Sequence, residues 1–308
     1  MTNESELLDE LRPTAFAIAY RMLGSVAEAE DVVQEALLRV HGAIEGGERI
    51  ESPRAYIATV NTRLAIDELR SARAQREVYT GEWLPEPLVT EVAPDDPARH
   101  AEMADSLSMA FLLLLERLSP EQRAVLLLRD VFDYGYDEIA RIVDKNEDNV
   151  RQLATRARRH VEEQRPRFEA SRERRDELAR RFFAAAQDGD LDGLEALLAQ
   201  DVVLHGDGGG KAPALARSLH GRNRVARTLL AWMRQAAKIP GLSFRPAELN
   251  GQPGALGLDA DGRIINVMVL DIAEGQVQAV RSIVNPDKLG HLGPQADVQE
   301  LLKQLRQR

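Results

Sequence analysis

Four arginines stand close together near the middle of the chain, and no acidic residue lies among them. Arg151, Arg156, Arg158 and Arg159 all lie within nine consecutive positions, 151–159. Apolar residues recur between them at helical spacing, so the pattern predicts a helix from Asn149 to Val161 with one buried face. On the second helix of a helix-turn-helix, outward arginines can bind phosphates and guanine edges in the major groove. The same pattern is typical of a solvated amphipathic helix, and the residues alone leave both interpretations open.

A second polar group lies earlier in the chain and comprises Thr59, Arg63, Asp67, Arg70 and Arg73. Arg63, Asp67 and Arg70 are spaced i, i+4, i+7, so they share one helix face, and Arg73 follows one turn later. Asp67 can pair with both neighbouring arginines on a wet surface, at about 0.3–0.5 kcal/mol per pair. Alternatively, the arginines follow a DNA backbone. Spacing does not decide between these interpretations.

Local start signals predict the helices that position both groups. Ser25 is a predicted N-cap, with Glu28 completing a capping box, and Ser52 precedes a proline that opens another helix. Ser119 precedes Pro120 in the same way. Residues 1–75 and 106–168 are therefore expected to be helical.

Residues 76–105 and the C-terminal half have different textures. Prolines and acids crowd the segment 76–105, which predicts a linker, while Trp83 and Leu84 are costly to leave in water and are expected to dock. From 172 to 290 helices come first, followed by strand patterns, with a hairpin at Glu274-Gly275. This order predicts an α+β domain, followed by a polar tail, 291–308, with one short helix.

Catalytic candidates in the α+β segment are few. The residues considered are His205, Asp207, Asp259, Asn266 and Asp271. His205 as a general base oriented by Asp207 is one interpretation, and a histidine without chemistry is the other.

The glycines 208–210 offer backbone N–H groups to an anion, with Lys211 adding positive charge, although no nucleotide-binding pattern is present. The remaining histidines have no metal-ligand spacing. We expect no enzyme activity, no cofactor and no metal.

Composition limits the remaining function classes. The chain has 308 residues, which suits two domains or three small ones, and its formal net charge is -10. Attraction to phosphate scales with local positive charge, so any nucleic-acid contact must come from local basic faces. The absence of cysteine excludes a disulfide scaffold and a thiolate nucleophile. No apolar run reaches the roughly 20 residues of a membrane span, and the polar start is no signal peptide, so we expect a cytoplasmic protein.

Two sequence motifs resemble those of bacterial RNA polymerase sigma factors. Residues 29–36, 53–60 and 64–70 resemble region 2, and residues 119–130 with 136–140 resemble region 4. No region 3 lies between them, so the chain resembles the extracytoplasmic-function (group IV) sigma factors. The turn at 143–146 lacks the glycine usual there, but Asn146 tolerates a left-handed turn, so the motif is retained.

The resemblance implies a role for particular residues. The residues that it matches to the β′ clamp helices of RNA polymerase core are Asp31, Gln34 and Glu35. Those that it matches to the melted minus-ten element are Asn61, Arg63, Asp67 and Arg70, with Arg73 one turn further. Those that it matches to the minus-thirty-five recognition helix are Asn149, Arg151, Gln152, Thr155 and Arg156, with Arg158 and Arg159 beside them. The partners implied are polymerase core, through the β′ clamp helices and the β flap, and promoter DNA.

Three further motifs resemble the subgroup of these factors that carries a C-terminal SnoaL-like domain. The first motif lies in the linker and contains Trp83, Leu84 and Pro85. The others contain Asp207, Gly208, Gly209 and Lys211, and then Asn285, Pro286, Asp287 and Lys288. The implied architecture is two all-α sigma domains, a region 2 bundle (1–75) and a region 4 helix-turn-helix (106–168), and then an α+β SnoaL-like cone (172–290) around a pocket.

Two functional hypotheses are carried forward; a third class, an enzyme with a DNA-targeting arm, would need turnover of a hydrophobic small molecule that substitution of His205 or Asp207 abolishes. In the first, the chain is an alternative sigma factor that recognises both promoter elements and starts transcription. Its C-terminal domain then regulates activity in cis through the three motifs, which form an interdomain regulatory set. In the second, the chain is a one-component helix-turn-helix regulator that senses a small ligand in the C-terminal pocket.

Overall fold

The computed structural model describes residues 4–90, 105–162 and 171–307, with the side chains of all of them except 4, 72–77, 302 and 304–307. The chain forms two compact units. One, the helical unit, comprises Met1–Val78 and Phe111–Arg165, and the other, the mixed unit, comprises Tyr79–Ala110 and Pro166–Arg308. The second part of the predicted linker, 91–104, lies outside the described residues.

Up to residue 162 the described secondary structure is helical, apart from a single β-bridge in the linker. The helices are α1 (Glu4–Leu23), α2 (Val26–Glu45), α3 (Pro53–Glu77), α4 (Met109–Leu115), α5 (Pro120–Asp130), α6 (Tyr136–Ile142) and α7 (Glu147–Glu162). On α2 the predicted apolar stripe is buried, since Val32, Ala36 and Val40 are at most 7% exposed. The stripe packs α2 into the bundle of α1, α2 and α3.

The predicted helix starts are confirmed. The Ser25 hydroxyl accepts a hydrogen bond from the Glu28 backbone N–H at 3.2 Å. Ser119 and Gln122 form a reciprocal capping box, with distances of 3.2 and 3.0 Å. Pro53 is the first residue of α3, where its missing N–H has no helical partner to lose.

The turn between α6 and α7 differs from the prediction. The left-handed residue of this turn is Asp144, with φ of 52°, and not Asn146. Asn146 instead caps α7, because its side-chain oxygen accepts the Asn149 backbone N–H at 2.8 Å. An aspartate tolerates the left-handed region for the same reason as an asparagine, and this assignment leaves the amide free to cap.

The mixed unit is an α+β fold, as predicted. Its elements are α8 (Arg172–Asp188), α9 (Leu191–Leu197), β1 (Leu198–Asp207), β2 (Leu219–His220), α10 (Arg222–Ala236), β3 (Ser243–Leu249), β4 (Gln252–Leu258), β5 (Ile264–Ala273), β6 (Gln276–Ile283) and α11 (Val298–Gln307). The sheet order is β2-β1-β6-β5-β4-β3. Strands β3 to β6 form the predicted antiparallel meander, and Glu274-Gly275 turns its last hairpin with φ of 53° and 70°. The parallel pairing of β1 with β6 was not predicted.

The sheet places different residues of β1 on its two faces. Val202 and Leu204 are fully buried in the core cluster formed with α8, α9 and α10. Because successive side chains of a strand alternate between faces, His205 and Asp207 lie on the face away from these helices. His205 and Asp207 are therefore positioned to contact any segment that packs on this second face of the sheet.

Candidate linker-docking and DNA-binding sites

The described part of the linker, 79–90, lies on the mixed unit. Val89 forms an isolated antiparallel bridge with Leu249, at the edge of the sheet. Beside it, Leu88 and Asn250 exchange two hydrogen bonds: the Leu88 N–H donates to Asn250 Oδ1 at 2.8 Å, and the Asn250 N–H donates to the Leu88 carbonyl at 2.7 Å. The linker is thus bound through its backbone as well as its side chains.

Asp207 is the centre of this docking site. Its side chain is fully buried and accepts four hydrogen bonds. Two come from the linker, from Tyr79 Oη at 2.6 Å and from the Leu84 N–H at 2.9 Å. The other two come from Gly209 N–H at 3.1 Å and Lys288 Nζ at 2.7 Å. A buried carboxylate is tolerated only with such compensation, so linker docking and the charge on Asp207 support each other.

Lys288 is the buried counter-charge. Its residue is 5% exposed, and its ammonium group also donates to the carbonyl of Leu84. The same Nζ lies 4.4 Å from the Trp83 ring centre and 4.9 Å from that of Tyr79, distances that suit cation–π contacts. Leu84 itself is 0% exposed, whereas Trp83 is half-buried. The predicted docking of both apolar linker residues is therefore seen in the structure.

The glycine loop and the segment after β6 hold these partners in place. Asn285 Nδ2 donates to Tyr79 Oη at 2.8 Å. Gly209 has a φ of 57°, and a Cβ added there would lie 2.3 Å from Asn285 Nδ2, so a side chain is excluded. Lys211 pairs with Asp287 at 2.5 Å. The anion that the glycine loop binds is thus the side chain of Asp207. Burial of the Tyr79 hydroxyl, together with its hydrogen bond to this carboxylate, raises the pKa of Tyr79.

His205 faces a second linker residue and not Asp207. Its Nδ1 lies 2.6 Å from Glu82 Oε1, and the Ser218 hydroxyl donates to the two Glu82 oxygens at 3.0 and 2.9 Å. Burial acts to raise the pKa of Glu82, but the hydrogen bonds from His205 and Ser218 outweigh it and lower that pKa. The idea that Asp207 orients His205 was wrong, because His205 Nδ1 contacts Glu82 while the Asp207 carboxylate accepts from Tyr79, Leu84, Gly209 and Lys288.

The other residues considered for catalysis have local partners. Asp259 pairs with Arg263 at 2.7 Å, and despite some desolvation the hydrogen bonds from that turn lower the pKa of Asp259. Asp271 forms a buried ion pair with Arg281. Asn266 stands opposite a glycine of β4 in the sheet register. Among the described residues, no three His, Asp or Glu side chains converge as a metal site.

The predicted pocket inside the cone is almost filled. The cavity between α8, α10 and the sheet has a volume of about 30 Å³, far below the roughly 300–1,000 Å³ of typical ligand pockets. The large side chains that line it include Phe182, Trp232, Phe244 and Met268. The structure therefore lends no support to a small ligand in this cavity.

The residues matched to polymerase binding lie on the exposed face of α2. Asp31, Gln34 and Glu35 are all exposed, opposite the buried apolar stripe. Glu35 pairs with Arg39 at 2.8 Å, and Leu38, 58% exposed, shares this face. The three matched side chains are therefore accessible to solvent, on the face of α2 that points away from the bundle core.

The arginines of α3 contact α5 and α6 within the helical unit. Arg63 donates to the carbonyls of Ile142, at 2.8 Å, and Arg141, at 2.9 Å. Arg70 pairs with Asp67 at 2.9 Å, as the spacing allowed, and with Glu121 at 2.7 Å. In this conformation both arginines are therefore engaged by protein groups.

Three other α3 residues differ in their availability. Asn61 is 0% exposed, and its amide donates to the Ala15 carbonyl at 3.0 Å, so it fastens α3 to α1 and does not face DNA here. This buried position argues against the DNA contact that the resemblance implied. Thr59 donates back to the Ala55 carbonyl at 2.8 Å. The Arg73 side chain lies outside the described residues.

The predicted recognition helix α7 carries exposed residues, and two of its arginines are held in ion pairs within the helical unit. The exposed residues on it are Asn149, Arg151, Gln152, Thr155, Arg156 and Arg159. Arg151 is tied by an ion pair to Glu147 and lies 4.4 Å over the Tyr136 ring. Arg158 is less exposed and binds both oxygens of Asp130. This hydrogen-bonded carboxylate raises the pKa of Arg158, which therefore fixes α7 against α5.

Comparison with known proteins assigns the two units. Three family models match the chain: Sigma-70 region 2 over residues 7–75, Sigma-70 region 4 over residues 108–161 and SnoaL-like domain over residues 179–284. The "ECF RNA polymerase sigma factor SigJ" of Mycobacterium tuberculosis is 38% identical over 289 residues, 91% of each chain. This chain belongs to the ECF RNA polymerase sigma factors. With sigma-70 regions 2 and 4, it is a promoter-recognition and transcription-initiation factor.

Other relatives of this sigma factor agree in domain order and fold. The "Probable ECF RNA polymerase sigma factor SigI" of the same species is 30% identical, over 89% of this chain and 91% of the relative. The crystal structure of the M. tuberculosis extracytoplasmic function sigma factor SigJ superposes with a TM-score of 0.73 at 36% identity, covering 94% of this chain and 98% of that one. Among the described residues, none of the helices has the length and apolar character needed to cross a membrane.

Sequence reasoning missed several docking residues of this sigma factor. His291 Nε2 donates to the Pro87 carbonyl at 2.7 Å, and Asn250 and Ser218 bind the linker as described above. None of these lies in the three motifs that the resemblance singled out. The sequence signal that bore on them was the apolar pair Trp83 and Leu84, which required a surface to cover it but did not specify that surface.

Proposed function

We propose that the SnoaL-like domain regulates this sigma factor in cis by holding the linker between regions 2 and 4. The observation that carries the proposal is the buried Asp207–Lys288 pair, which binds the linker residues Tyr79, Trp83 and Leu84. In sequence, this linker connects the end of α3 to the start of α4. The domain therefore controls the conformation of the tether between the two promoter-reading regions.

The physical effect is on the reach of that tether. A free linker of about 30 residues samples many end-to-end distances, and this lowers the effective concentration of one region once the other is bound. Docking of residues 79–90 removes much of this freedom. We expect the docked factor to prefer a narrow range of spacings between the minus-ten and minus-thirty-five elements.

The roles proposed for individual residues follow their exposure. The exposed face of α2, with Asp31, Gln34 and Glu35, binds the β′ clamp helices, and region 4 binds the β flap. The exposed side chains of α7 that read the minus-thirty-five element are Asn149, Gln152, Thr155, Arg156 and Arg159. We leave Asn61 out of the DNA-binding set because it is buried. Because its relatives are RNA polymerase sigma factors, we expect the protein to act in the cytoplasm.

Region 2 binds DNA only after a rearrangement in this proposal. Arg63 and Arg70 on α3 are the residues proposed to bind the minus-ten strand, and both contact region 4 in this conformation. Release of these contacts makes the arginines available. The closed helical unit is then the resting form, and the form bound to polymerase is open.

In vitro transcription with purified polymerase core tests the regulatory proposal. Promoters that differ only in the spacing of their two elements are transcribed with the wild-type chain, Trp83→Ala and Lys288→Met. We expect both variants to accept a wider range of spacings. Lys303→Gln, which removes an exposed lysine of the same domain, is the matched control and keeps the wild-type profile.

Two outcomes would contradict parts of this proposal. Spacing profiles identical for wild type and both linker variants would remove regulation in cis. Tight, sequence-specific duplex binding by the chain without polymerase core would instead support a one-component regulator. We propose no catalytic role, because His205 and Asp207 are engaged by the linker.

A further inference from the structure

A long stretch of the SnoaL-like domain carries positive charge without compensation in the sequence. From Gly208 to Ala247 the chain has no Asp or Glu and eight Lys or Arg residues, although its overall formal charge is -10. Helix α10 lies in the middle of this stretch. Neither the sigma-region motifs nor the linker-docking site gives a role to the cations of this helix.

Three of the four arginines of α10 lie on one side of the helix. Arg224, Arg227 and Arg234 are all exposed, and their spacing of three and seven residues keeps them in one stripe. The opposite side, with Val225 and Leu229, is buried in the domain core. At 1.5 Å per residue the stripe is about 15 Å long, and Lys238 extends it just beyond the helix. We call Arg224, Arg227, Arg234 and Lys238 the basic stripe.

The basic stripe is not neutralised by the domain. None of its four residues forms an ion pair with a carboxylate among the described residues. Arg227 Nε donates to Asn223 Oδ1 at 3.0 Å, and Lys238 Nζ donates to Gln235 Oε1 at 3.0 Å, so their partners are neutral amides.

Other arginines of the same domain are paired. Arg172 and Arg263 both bind carboxylates, at 3.1 and 2.7 Å. The acid nearest to the stripe through hydrogen bonds is Glu195, which accepts from Asn223 at 2.6 Å. The full positive charge of the stripe is therefore available to an external anion.

We propose that the basic stripe binds the phosphate backbone of duplex DNA and adds a sequence-independent contact to the promoter complex. This inference rests on the proposed function, since it needs a polymerase complex that already holds promoter DNA. Along one strand, phosphates follow each other at about 3.4 Å of helical rise, so a stripe of about 15 Å spans several of them. Four unpaired cations in a row suit this repeating charge.

The composition of the surface favours DNA over a protein partner. Protein interfaces place aromatic or aliphatic side chains at their centre. The exposed large apolar side chains of the described residues are Leu38, Val78 and Val89, and none belongs to α10. A face with charge and without an apolar centre is typical of phosphate contact.

Two charge-matched double variants test the proposal in the full-length protein. Arg224→Gln with Arg234→Gln removes two cations of the stripe. Arg217→Gln with Arg245→Gln removes two exposed cations of the same acid-free stretch that lie outside α10. Each is assembled with polymerase core, and promoter affinity is measured between 50 and 200 mM salt on fragments with duplex upstream of the minus-thirty-five element. Thermal unfolding checks that both variants keep the fold.

The expected result is a change in salt dependence. Each lost phosphate contact reduces the slope of log K against log salt by about 0.9, so the stripe variant should lose about 1.8 while the control keeps the wild-type slope. Over this salt range the wild-type affinity then falls roughly tenfold more than that of the stripe variant. The preference among promoter sequences stays the same.

Three results would overturn the inference. The first is an equal salt slope for the stripe variant and wild type. The second is an equal loss of slope in the control variant, which would reflect net charge alone, and the third is weaker binding of the stripe variant to polymerase core without DNA, which would indicate a protein partner. If the wild-type chain forms no promoter complex with core, the proposed function itself fails. Normal promoter binding with an unchanged slope in the stripe variant removes only this inference.

Discussion

Lys288 and Asp207 form a buried ion pair, 2.7 Å apart, and together they bind both backbone polar groups of one linker residue. Asp207 accepts the N–H of Leu84, and Lys288 donates to its carbonyl. A linker backbone without strand or helix partners is thus satisfied by two opposite charges of the SnoaL-like domain. Docking consequently depends on electrostatic complementarity as well as on the burial of Leu84.

The first prediction concerns the loss of one charge of this pair. Lys288→Met leaves Asp207 buried without its counter-charge, and we expect the mixed unit to be destabilised by about 3–5 kcal/mol. Both tryptophans of the chain, Trp83 and Trp232, belong to this unit, so urea unfolding followed by tryptophan fluorescence reports on it selectively. The double variant Asp207→Asn/Lys288→Met should recover part of the loss. A single variant as stable as wild type would show that the pair is dispensable.

The second prediction separates linker docking from domain stability. Leu84→Ala removes a side chain that is 0% exposed, so we expect the free energy that holds the linker in its docked position to decrease by about 2–5 kcal/mol. The sheet should remain folded. Amide hydrogen exchange of residues 79–90 measures this loss locally. Val89→Ala is the control, because that side chain is 45% exposed. Faster exchange throughout the domain in Leu84→Ala would mean that the linker belongs to the domain core.

The third prediction is a pH dependence. The pKa of Glu82 is lowered below its usual value of 4.5 in the docked state, so its stabilising contribution is complete above about pH 4.5. This contribution is lost as the pH falls through the lowered pKa that Glu82 has in the docked state. We expect linker protection, corrected for intrinsic exchange rates, to decrease in this acidic window for wild type. Glu82→Gln should be less protected at neutral pH and should lack this step.

The parts of the structure that were predicted correctly depend on local signals. The Ser119 cap and the hairpin at Glu274-Gly275 follow from residues a few positions apart, so the sequence alone reveals them. The contact between Glu82 and His205 joins residues 123 positions apart, and the parallel pairing of β1 with β6 joins distant residues such as Leu204 and Val280. Such pairs arise from tertiary packing, and a single sequence has no short-range pattern that specifies them.

The same reasoning explains the results for the arginines. Helical spacing correctly placed Arg63 and Arg70 on one face and allowed the pair with Asp67. It could not show that Glu121 and the carbonyls at the end of α6 also bind them, because those partners come from a distant helix pair. Likewise, the resemblance implied a DNA contact for Asn61, whereas the burial of this residue depends on how α1 packs over α3.

The fourth prediction concerns the closed helical unit. Glu121→Gln weakens the ion pair between Glu121 and Arg70 but leaves the arginine in place. We therefore expect binding of the polymerase complex to the minus-ten element to increase. The pair is exposed to solvent, so we expect a modest gain in affinity, of up to about fivefold. Arg70→Gln removes this ion pair and the proposed DNA contact together and should weaken binding. Equal effects of the two substitutions would contradict a resting form closed by this pair.

The fifth prediction distinguishes two arginines of α7 that sequence spacing treats alike. Arg156 is exposed and has no ion pair among the described residues, so Arg156→Ala should weaken binding to the minus-thirty-five element by about 1–3 kcal/mol. Arg158 binds both oxygens of Asp130, so Arg158→Ala should lower the thermal stability of region 4 and change base preference little.

Binding of polymerase complexes to fragments with single substitutions in that element measures base preference, and thermal unfolding measures the structural effect. Asp130→Asn is the matched control, because it weakens the same ion pair without touching α7. It should reproduce the stability loss of Arg158→Ala and leave base preference unchanged. If Arg158→Ala alters base preference and Arg156→Ala does not, then α7 presents a different face to DNA. In that case the Arg158–Asp130 pair must open when the promoter binds.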